Sequence, residues 1–208
     1  LDDSATPDNR RACRPFSSNA GFTLAESSVW IVLMDDALAI ESGARILGSV
    51  GDVFVNADGY KKSIPGPGIG NYITVAKAMA SARTMLGEEG LRHSTYMHAH
   101  GTGTPQNRVT ESAIMSKLAQ AFDIPQLTIA AIKSYVGHSL APAGGDQLAA
   151  ILGAWQDGIV PGIKTIDHIA ADVTQERLHF PMADQARDID NMRGAFVNSK
   201  GFGGNNAT

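Results

Sequence analysis

Two apolar segments in the middle of this chain each lead directly into a stretch that combines glycine with ionisable side chains. The first stretch runs from His98 to Thr104 and reads HAHGTGT, and the second runs from Lys133 to His138 and reads KSYVGH. Open α/β sheets gather their chemistry at the carboxyl ends of their strands. The pattern therefore predicts an α/β fold in which His100, Lys133 and His138 converge at one edge of a sheet.

The residue types in these stretches are those of a site that handles carbonyl oxygens and carboxylates. A neutral imidazole donates a hydrogen bond to a developing oxyanion, and an ammonium group holds the local charge and hydrogen bonds in place. Glu111 lies in the helix predicted to begin at Thr104, and we expect that helix to bring its carboxylate back to Lys133. Either stretch taken alone is more often a turn with a surface histidine. The combination of both with the C-terminal tail favours a site.

The C-terminal tail adds backbone donors to this predicted site. It contains the run from Gly201 to Gly204, with Phe202 between two glycines. Glycine lets a backbone approach a substrate closely, and free N–H groups in such a segment can meet an oxyanion, as acyl transfer requires. We therefore expect the tail to lie beside the histidines.

Strand-like and helix-like segments alternate along the chain. The predicted strands are 28–34, 44–56, 94–99, 126–132 and 194–198, and the predicted helices are 35–42, 72–86, 104–122 and 142–155. Residues 156–192 are mixed and loop-rich. The alternation predicts one α/β domain over residues 1–208, with helices that cover a mixed sheet.

Composition and charge exclude several classes of protein. Hydrophobic residues make up 43% and charged residues 18% of the 208 residues, as in an ordinary globular protein. The single cysteine, Cys13, excludes an internal disulfide and a cysteine-rich metal site, and it fits a reducing cytoplasm. The net charge of −4 gives no general reason to expect nucleic acid as a partner. Two small basic groups are typical of solvated surface: Arg10, Arg11 and Arg14, and Lys61 and Lys62.

Membrane and targeting segments are not expected. The longest apolar run, from Val29 to Met34, is far shorter than the roughly 20 residues that span a bilayer. The first residues have neither the basic flank nor the apolar core of a secretory signal. The chain does not begin with methionine, and we expect it to be a piece of a longer protein, truncated at both ends.

Nucleotide and metal sites are not expected either. The glycine-rich loop at 66–70 matches neither a dinucleotide fingerprint nor a phosphate loop. His98 and His100 alternate on a predicted strand, so both imidazoles would face one side, as two metal ligands do. A metal site normally needs a third ligand at a recognisable spacing, and the sequence offers none.

Four ordered stretches of the chain share residues and spacing with the motifs of one known family. They are Arg14-Pro15-Phe16 with Gly21, Phe22 and Glu26; Ala99 to Pro105 with Glu111; Lys133-Ser134 with Gly137, His138, Ala143 and Gly144; and Asn198-Ser199 with Gly201 to Gly204 and Asn206. Through them the chain resembles the C-terminal half of a β-ketoacyl-acyl carrier protein synthase, a condensing enzyme of fatty acid and polyketide synthesis. The resemblance covers nearly the whole chain.

This resemblance implies a thiolase-like fold of two duplicated halves with layered helices and sheets, usually paired as a homodimer. In that family a cysteine of the first half accepts an acyl chain as a thioester, and the second half supplies two histidines and a lysine. Cys13 lacks the context of a nucleophile, so the resemblance places the nucleophile in the missing first half. We therefore expect the 208-residue chain alone to have no condensing activity.

The resemblance also implies a role for each matched residue. His100 and His138 would promote decarboxylation of a malonyl group and stabilise the enolate that results. Lys133, with Glu111, would hold the charges and hydrogen bonds of the site. The reaction would need no metal or organic cofactor, because the departing carbon dioxide drives it. Its partners would be acyl carrier proteins that carry the acyl and malonyl groups.

The closing motif implies two more roles and contains a departure. The N–H of Phe202, between Gly201 and Gly203, would form half of a thioester oxyanion hole, and its ring would gate the acyl pocket. Lys200 replaces a phenylalanine of the family and puts a cation close to this pocket, where we expect it to tune the preference for acyl chains. Other departures are His98 for glutamate, Asn107 and Arg108 for glycine and aspartate, and Asn205 for threonine.

Two further functions fit the same motifs. A non-catalytic partner subunit of the chain-length-factor type would shape the pocket of an active ketosynthase, and the retained histidines and lysine argue against it. An initiation enzyme primed by acyl-coenzyme A would keep the same residues and stays open. A thiolase would need a second catalytic cysteine near the C-terminus, and the sequence has only one cysteine in total.

Overall fold

The structure, a computed structural model, describes residues 12–18, 21–59, 68–182, 185, 187–188 and 191–208. Four basic residues named above, Arg10, Arg11, Lys61 and Lys62, lie outside the described residues, as does the start of the glycine-rich loop at 66–70.

Helices and short strands alternate along the described chain. The helices are α1 (Asp36–Glu41), α2 (Ile69–His93), α3 (Pro105–Ala121), α4 (Lys133–Val136) and α5 (Ala143–Asp157). The strands are β1 (Val55–Ala57), β2 (Thr95–His98), β3 (Leu127–Ala130), β4 (Ile159–Val160), β5 (Leu178–His179), β6 (Arg187–Asp188), β7 (Gly194–Val197), β8 (Ser199–Gly201) and β9 (Asn205–Ala207). No helix among the described residues combines the length and the apolar character needed to cross a membrane.

The centre of the fold is a four-stranded parallel sheet with the strand order β5-β3-β2-β7. Its register pairs Tyr96 of β2 with Thr128 of β3 on one side and with Ala195 of β7 on the other. Parallel neighbours need a crossover connection, and α3 supplies the one between β2 and β3. The residues that follow β2 and β3 therefore emerge at the same edge of the sheet.

Both faces of this sheet are buried, as helices on each side require. On one face Met97 and Ile129 have no exposed surface and belong to the larger hydrophobic cluster, which includes Met115 of α3. On the opposite face Tyr96 packs in a smaller cluster with Ile151 of α5. The two clusters fix the sheet between α2 and α3 on one side and α5 on the other.

Antiparallel pairing occurs in separate, smaller sheets. The strands β1, β9 and β8 form a three-stranded sheet in which Asn206 lies opposite both Asn56 and Lys200. Strands β4 and β6 form another pair. The hairpin of β8 and β9 is absent from the sequence prediction, which ends at the strand 194–198. Its turn uses Gly203 and Gly204 at φ +83° and +82°, a conformation that favours glycine.

Most of the predicted helices and the strands of the central sheet are confirmed. The predicted helices at 35–42, 104–122 and 142–155 correspond closely to α1, α3 and α5, and the strands at 94–99, 126–132 and 194–198 correspond to β2, β3 and β7. Pro105 stands in the first turn of α3, where its missing N–H costs nothing. Helix α2 is longer than predicted and continues past Gly87, whose φ of +75° interrupts the helical conformation.

The strand predicted at 28–34 is wrong, and the strand predicted at 44–56 is limited to its last residues in β1. Trp30 and Val32 are 92% and 83% exposed. An apolar run becomes a strand only where a neighbouring strand can bind its backbone N–H and C=O groups, and within the described residues 28–34 has no such neighbour. Val29 of this run lies against α5, where a Cβ built at Gly145 would stand 2.9 Å from the Val29 Cβ.

Two segments predicted to be polar or loop-rich contribute to the core. In the opening segment Cys13 and Phe16 are buried, and in the loop-rich region so are Ile163 and Phe180. The Phe16 and Phe180 rings pack with their centroids 4.7 Å apart. The opening segment is therefore fastened onto residues 160–180, a contact between distant parts of the chain.

Candidate active site

The loop that follows β2 carries His100 and needs glycine at its next position. Gly101 has a φ of +55°, and a Cβ there would lie 2.9 Å from the Cβ of Ala131. Any other residue would meet both a strained backbone and a clash. The loop therefore packs directly on the residues that follow β3, and this contact brings His100 toward Lys133.

Glu111 fastens this loop from α3. Its side chain is fully buried, and its carboxylate accepts hydrogen bonds from the N–H groups of His100 at 2.7 Å and Gly101 at 2.9 Å. The side-chain amides of Asn107 and Asn198 donate to the same carboxylate at 2.8 and 2.7 Å. These donors compensate the cost of burying a charge.

Lys133 holds the same loop through another of its backbone groups. It is the first residue of α4, it is buried, and its Nζ donates to the carbonyl oxygen of His100 at 2.6 Å. Burial lowers the pKa of Lys133 to about 8, while the negative charge of Glu111 acts in the opposite direction. The sequence predicts that Glu111 meets Lys133; in the structure Glu111 binds the N–H groups of the loop and Lys133 binds its carbonyl.

His100 and His138 face each other across the site. Their ring centroids are 5.3 Å apart and the ring planes are nearly perpendicular, at 84°. The Nδ1 of His138 accepts a hydrogen bond from the N–H of Leu140 at 3.1 Å, and the Nδ1 of His100 accepts one from the N–H of Lys200 at 3.4 Å. An Nδ1 that accepts leaves the proton of a neutral imidazole on Nε2. These hydrogen bonds therefore assign both rings as donors through Nε2.

The surroundings keep both imidazoles neutral. Burial lowers the pKa of His100 well below its usual value, and the nearby Lys133, His138 and Lys200 lower it further. Burial also lowers the pKa of His138 to about 4, with a smaller effect of Lys133 in the same direction and an opposing effect of Asp146. The site thus presents two neutral hydrogen-bond donors beside a buried lysine, an arrangement suited to one oxygen that gains negative charge.

Two buried amide side chains complete the site and were not singled out from the sequence. Gln147 of α5 donates through Nε2 to the carbonyl oxygens of His98, Ala99 and Asn198, at 3.0, 2.8 and 3.0 Å. Asn71 of α2 donates to Asn198 at 2.5 Å. Gln147 thus binds the ends of both β2 and β7 and holds the backbone from which His100 starts, while Asn71 holds the side chain of Asn198. A lone amide on the apolar face of a predicted helix is the signal that could have identified Gln147.

The tail lies beside this loop. Lys200 of β8 is buried, and its Nζ donates to Thr110 Oγ1 of α3 at 3.4 Å. Phe202 stands at the turn of the β8–β9 hairpin and is 65% exposed, between Gly201 and Gly203. The hydrogen bond from the Lys200 N–H ties the tail to His100, and the roles predicted for Phe202 remain predictions.

Cys13 lies in a buried position that the sequence did not indicate. It borders a cavity of about 170 Å³, whose lining includes Lys133, Ser134 and Thr165. The hydroxyl of Thr165 donates to the carbonyl oxygen of Cys13. Burial raises the pKa of the Cys13 thiol, which makes its thiolate form scarce and its reactivity low.

Arg108 and His98 lie close to the site in sequence but have different surroundings from the histidine pair. Arg108 of α3 forms a two-pronged ion pair with Asp172, at 2.8 and 2.9 Å, and donates to the Ser17 carbonyl at 3.1 Å. His98 ends β2, is 2% exposed, and burial lowers its pKa to about 3. No group of three His, Cys, Asp or Glu side chains in the described part of the chain is arranged to hold a metal ion.

Comparison with known proteins gives one consistent result. Residues 47–167 match the family model described as the C-terminal domain of β-ketoacyl synthases. The chain is 57% identical over 201 residues to the β-ketoacyl-[acyl-carrier-protein] synthase FabY of Pseudomonas aeruginosa, an alignment that covers 97% of this chain and 32% of that protein. The chain therefore spans about a third of the length of this relative.

Solved structures agree in fold. A crystal structure of the ketosynthase FabY from P. aeruginosa superposes with a TM-score of 0.92 at 56% identity, over 97% of this chain and 32% of that one. The ishigamide ketosynthase/chain length factor superposes with a TM-score of 0.79 at 28% identity, over 98% of this chain and 47% of that one. These structures confirm the predicted thiolase-like α/β fold.

Proposed function

The chain belongs to the β-ketoacyl synthase family, whose C-terminal domain it matches, and on this premise we propose that the full-length protein is a β-ketoacyl-acyl carrier protein synthase. It condenses an acyl thioester with a malonyl thioester on acyl carrier protein and releases carbon dioxide. The observation that carries this proposal is the pair of facing neutral imidazoles, His100 and His138, each with its Nδ1 occupied by a backbone N–H.

The first chemical step breaks the bond between the malonyl carboxyl carbon and its α carbon. The electron pair of that bond moves onto the α carbon and the thioester carbonyl, which forms an enolate and releases carbon dioxide. The Nε2–H groups of His100 and His138 donate to the enolate oxygen. Because these donors are already oriented before charge develops, they stabilise the transition state more than the ground state.

The second step forms the new carbon–carbon bond. The enolate carbon attacks the carbonyl carbon of an acyl group held as a thioester on a cysteine of the N-terminal half. The N–H of Phe202 donates to the oxyanion of the tetrahedral intermediate. The carbon–sulfur bond then breaks, the cysteine leaves as a thiolate, and the β-ketoacyl group remains on the carrier protein.

Lys133 and Glu111 act through the backbone of His100. Lys133 binds its carbonyl oxygen and Glu111 its N–H, so the imidazole is held through both of its neighbouring peptide groups. Neither group needs to touch the substrate to position the ring. We infer that loss of either disturbs every step that uses His100.

The partners and setting belong to the same proposal. The relative described above is named for acyl carrier protein, which supports a carrier-bound substrate. The homodimer follows from membership of the family, and the exposed apolar side chains between Trp30 and Val55 support contact of this segment with further protein surface. The lone, unpaired cysteine, Cys13, supports a reducing cytoplasm as the setting.

Alanine substitution in the full-length protein tests the roles of the histidines. His100→Ala and His138→Ala should each slow decarboxylation of malonyl carrier protein by roughly 100- to 1,000-fold, about 3–4 kcal/mol. Self-acylation by the acyl donor should stay largely intact, because the histidines act after the acyl chain is loaded. Lys133→Ala should impair both steps, because its ammonium is also a charge beside the site that supports the geometry of all the groups there. Carbon dioxide release and acyl-enzyme formation, measured separately by mass spectrometry, distinguish these results.

His98→Ala is the matched control. His98 is two residues from His100 and is also buried, yet it matches no catalytic position, so its effect should stay under about tenfold, or 1.4 kcal/mol. An effect of His98→Ala as large as that of His100→Ala would contradict the assignment. A zinc assay on the same protein would then show whether the two histidines share a metal.

The second candidate is a non-catalytic partner subunit, favoured by the similarity to the ketosynthase/chain length factor structure. A partner subunit would not form an acyl-enzyme with any acyl donor, whereas an active condensing enzyme would form one. The two donors, acyl-coenzyme A and acyl carrier protein, should be compared. An initiation enzyme is identified by formation of the acyl-enzyme from acyl-coenzyme A.

A further inference from the structure

A second group of side chains centred on a histidine lies outside the site described above. His168, in the loop-rich region, has its Nδ1 2.7 Å from Oδ1 of Asp167. The Nε2 of the same ring lies 3.0 Å from the hydroxyl oxygen of Ser18 and 3.5 Å from that of Ser17. A serine, a histidine and an aspartate are thus joined in one chain of hydrogen bonds.

The contact with Asp167 decides which nitrogen of the neutral His168 ring carries the proton. An ionised carboxylate only accepts hydrogen bonds, so Nδ1 is the donor and Nε2 keeps a lone pair. The Ser18 hydroxyl therefore donates to Nε2, which is the relation of a nucleophile to its base. His100 and His138 have the opposite tautomer, with the proton on Nε2.

Two distant segments of the chain meet to form this group. The N–H of Ala170 donates to the carbonyl oxygen of Phe16 at 3.0 Å, and each of these residues is two positions from a member of the group. Arg14 fixes the carboxylate, since its Nη2 donates to Oδ1 of Asp167 at 2.8 Å. The same nitrogen donates to the hydroxyl of Ser17 at 3.5 Å. The guanidinium thus places a positive charge beside the serine hydroxyls, where it can stabilise an oxygen that gains negative charge.

Exposure distinguishes the two serines. Ser18 is exposed, whereas Ser17 is only 1% exposed. The side chains of His168 and Asp167 are 50% and 57% exposed, so the group is open to small molecules from solvent. Ser18 therefore combines the shorter contact with His168 and access to a substrate.

We propose that Ser18 is a nucleophile that accepts an acyl group from a small ester or thioester, with His168 as its general base and Asp167 as the group that orients the base. The Ser18 Oγ forms a bond to the acyl carbon while its proton passes to Nε2 of His168. The bond from that carbon to the leaving oxygen or sulfur then breaks, and the leaving group takes the proton from His168. This acylation is separate from the proposed condensation, in which a cysteine of the N-terminal half carries the acyl group.

A fluorophosphonate probe tests the nucleophile in the full-length protein. Attack by Ser18 forms a phosphorus–oxygen bond and expels fluoride, and mass spectrometry of the digested protein locates the label and gives its rate of formation. Ser18 should be labelled, and His168→Ala should slow this labelling by roughly 100-fold, at the low end of general-base catalysis. Asp167→Asn should slow it by a smaller factor, because the base remains but its orientation is held less firmly.

Two controls separate base catalysis from a structural role of the imidazole. His93→Ala removes another exposed histidine, whose Nε2 lies 3.7 Å from a carboxylate oxygen of Glu89, and it should leave the labelling of Ser18 unchanged. Free imidazole added to His168→Ala should restore part of the lost rate, because it supplies the missing base. Labelling of Ser18 that is as fast in His168→Ala as in the wild-type protein would overturn the proposal, as would the absence of label on Ser18.

Acyl donors test the proposed class of substrate. The full-length protein is incubated separately with p-nitrophenyl acetate, an ester, and with acetyl-coenzyme A, a thioester, and the acetylated residues are located by mass spectrometry. An acetyl group on Ser18 from at least one donor, formed more slowly in His168→Ala, is the expected result. No acetyl group on Ser18 from either donor would overturn the proposal. Both outcomes are independent of the proposed condensation, because the reaction requires neither carrier protein nor a malonyl group.

Discussion

Two regions of this molecule have similar apolar sequences and opposite surroundings. The strands β2 and β3 and the loops that follow them are buried, and the carboxylate of Glu111 there accepts hydrogen bonds from four donors. The segment between Trp30 and Val53 is just as apolar, yet its large side chains lie mostly in the open, with Trp30 92% exposed.

The difference between them is the presence of a neighbour. Strand β2 lies between β3 and β7, which take up its backbone groups on both sides. The segment at 28–34 has no strand beside it within the described residues. The apolar sequence of a segment indicates that its side chains become buried. Whether other residues of this chain bury them depends on which elements lie next to the segment. Such an extended apolar surface is typical of a segment that meets further protein.

The largest effect should come from Glu111→Ala in the buried region. It removes the acceptor of four donors and leaves them buried and unpaired, so we expect the free energy of unfolding to fall by about 3–5 kcal/mol. Equilibrium urea unfolding followed by circular dichroism measures it. A loss of less than about 1 kcal/mol would show that water replaces the carboxylate and that the loop is not held by Glu111.

The second largest loss of stability should come from a substitution that creates a cavity beside the central sheet. Ile129 of β3 has no exposed surface, and Ile129→Ala should lower the free energy of unfolding by about 2–5 kcal/mol through lost burial and the cavity left behind. Ile129→Val, which removes one methylene, is the matched control and should cost about 0.5–1.5 kcal/mol. Equal effects of the two variants would mean that the sheet collapses around the gap.

The pH dependence of condensation should follow Lys133. Its pKa of about 8 is below the ordinary value for lysine, so the ammonium is present below pH 8 and is lost as the pH rises through that value. We expect kcat/KM of the full-length protein to fall by about tenfold for each pH unit above 8. Lys133→Arg, whose guanidinium stays charged, should lack this decrease. An unchanged alkaline decrease in that variant would assign it to another group.

The ion pair between Arg108 and Asp172, at the edge of the buried region, should contribute less to stability. Arg108→Ala removes the two-pronged contact with Asp172 and the hydrogen bond to the Ser17 carbonyl. Both side chains are partly exposed, so the expected loss of stability is about 1 kcal/mol. Because Arg108 lowers the pKa of Asp172, the pair should weaken as the pH falls through that lowered pKa. A loss above about 3 kcal/mol would show that Arg108 holds the whole opening segment.

The smallest effect should come from the exposed segment. Val32 is 83% exposed, so Val32→Ala in the 208-residue chain should change the free energy of unfolding by less than about 0.5 kcal/mol. The same substitution in the full-length protein tests the contrast itself. A loss above about 1 kcal/mol there would show that the remaining protein covers this segment.

Much of the site was predictable because its residues stand at the ends of predictable elements. The apolar segments before His100 and Lys133 identify β2 and β3, and Pro105 identifies the start of α3. The position of Glu111 near this loop was predictable from α3, because the first turns of a helix that starts at the end of the loop lie close to the loop. The contact of Glu111 with Asn198 was not predictable in the same way, because the two residues are 87 positions apart along the chain.

The sequence by itself determined the alternation of helices and strands, the family resemblance and the three ionisable residues at the strand ends. These depend on hydrophobic period, on turn residues and on spacing, all of which are local. Only the tertiary structure decided that Lys133 binds the His100 carbonyl, that the Lys200 N–H meets the His100 imidazole and that Trp30 is exposed. Those outcomes depend on which distant segments of the chain contact each other. Burial and hydrogen bonds arise only when the two segments meet, so neither segment's sequence predicts them by itself.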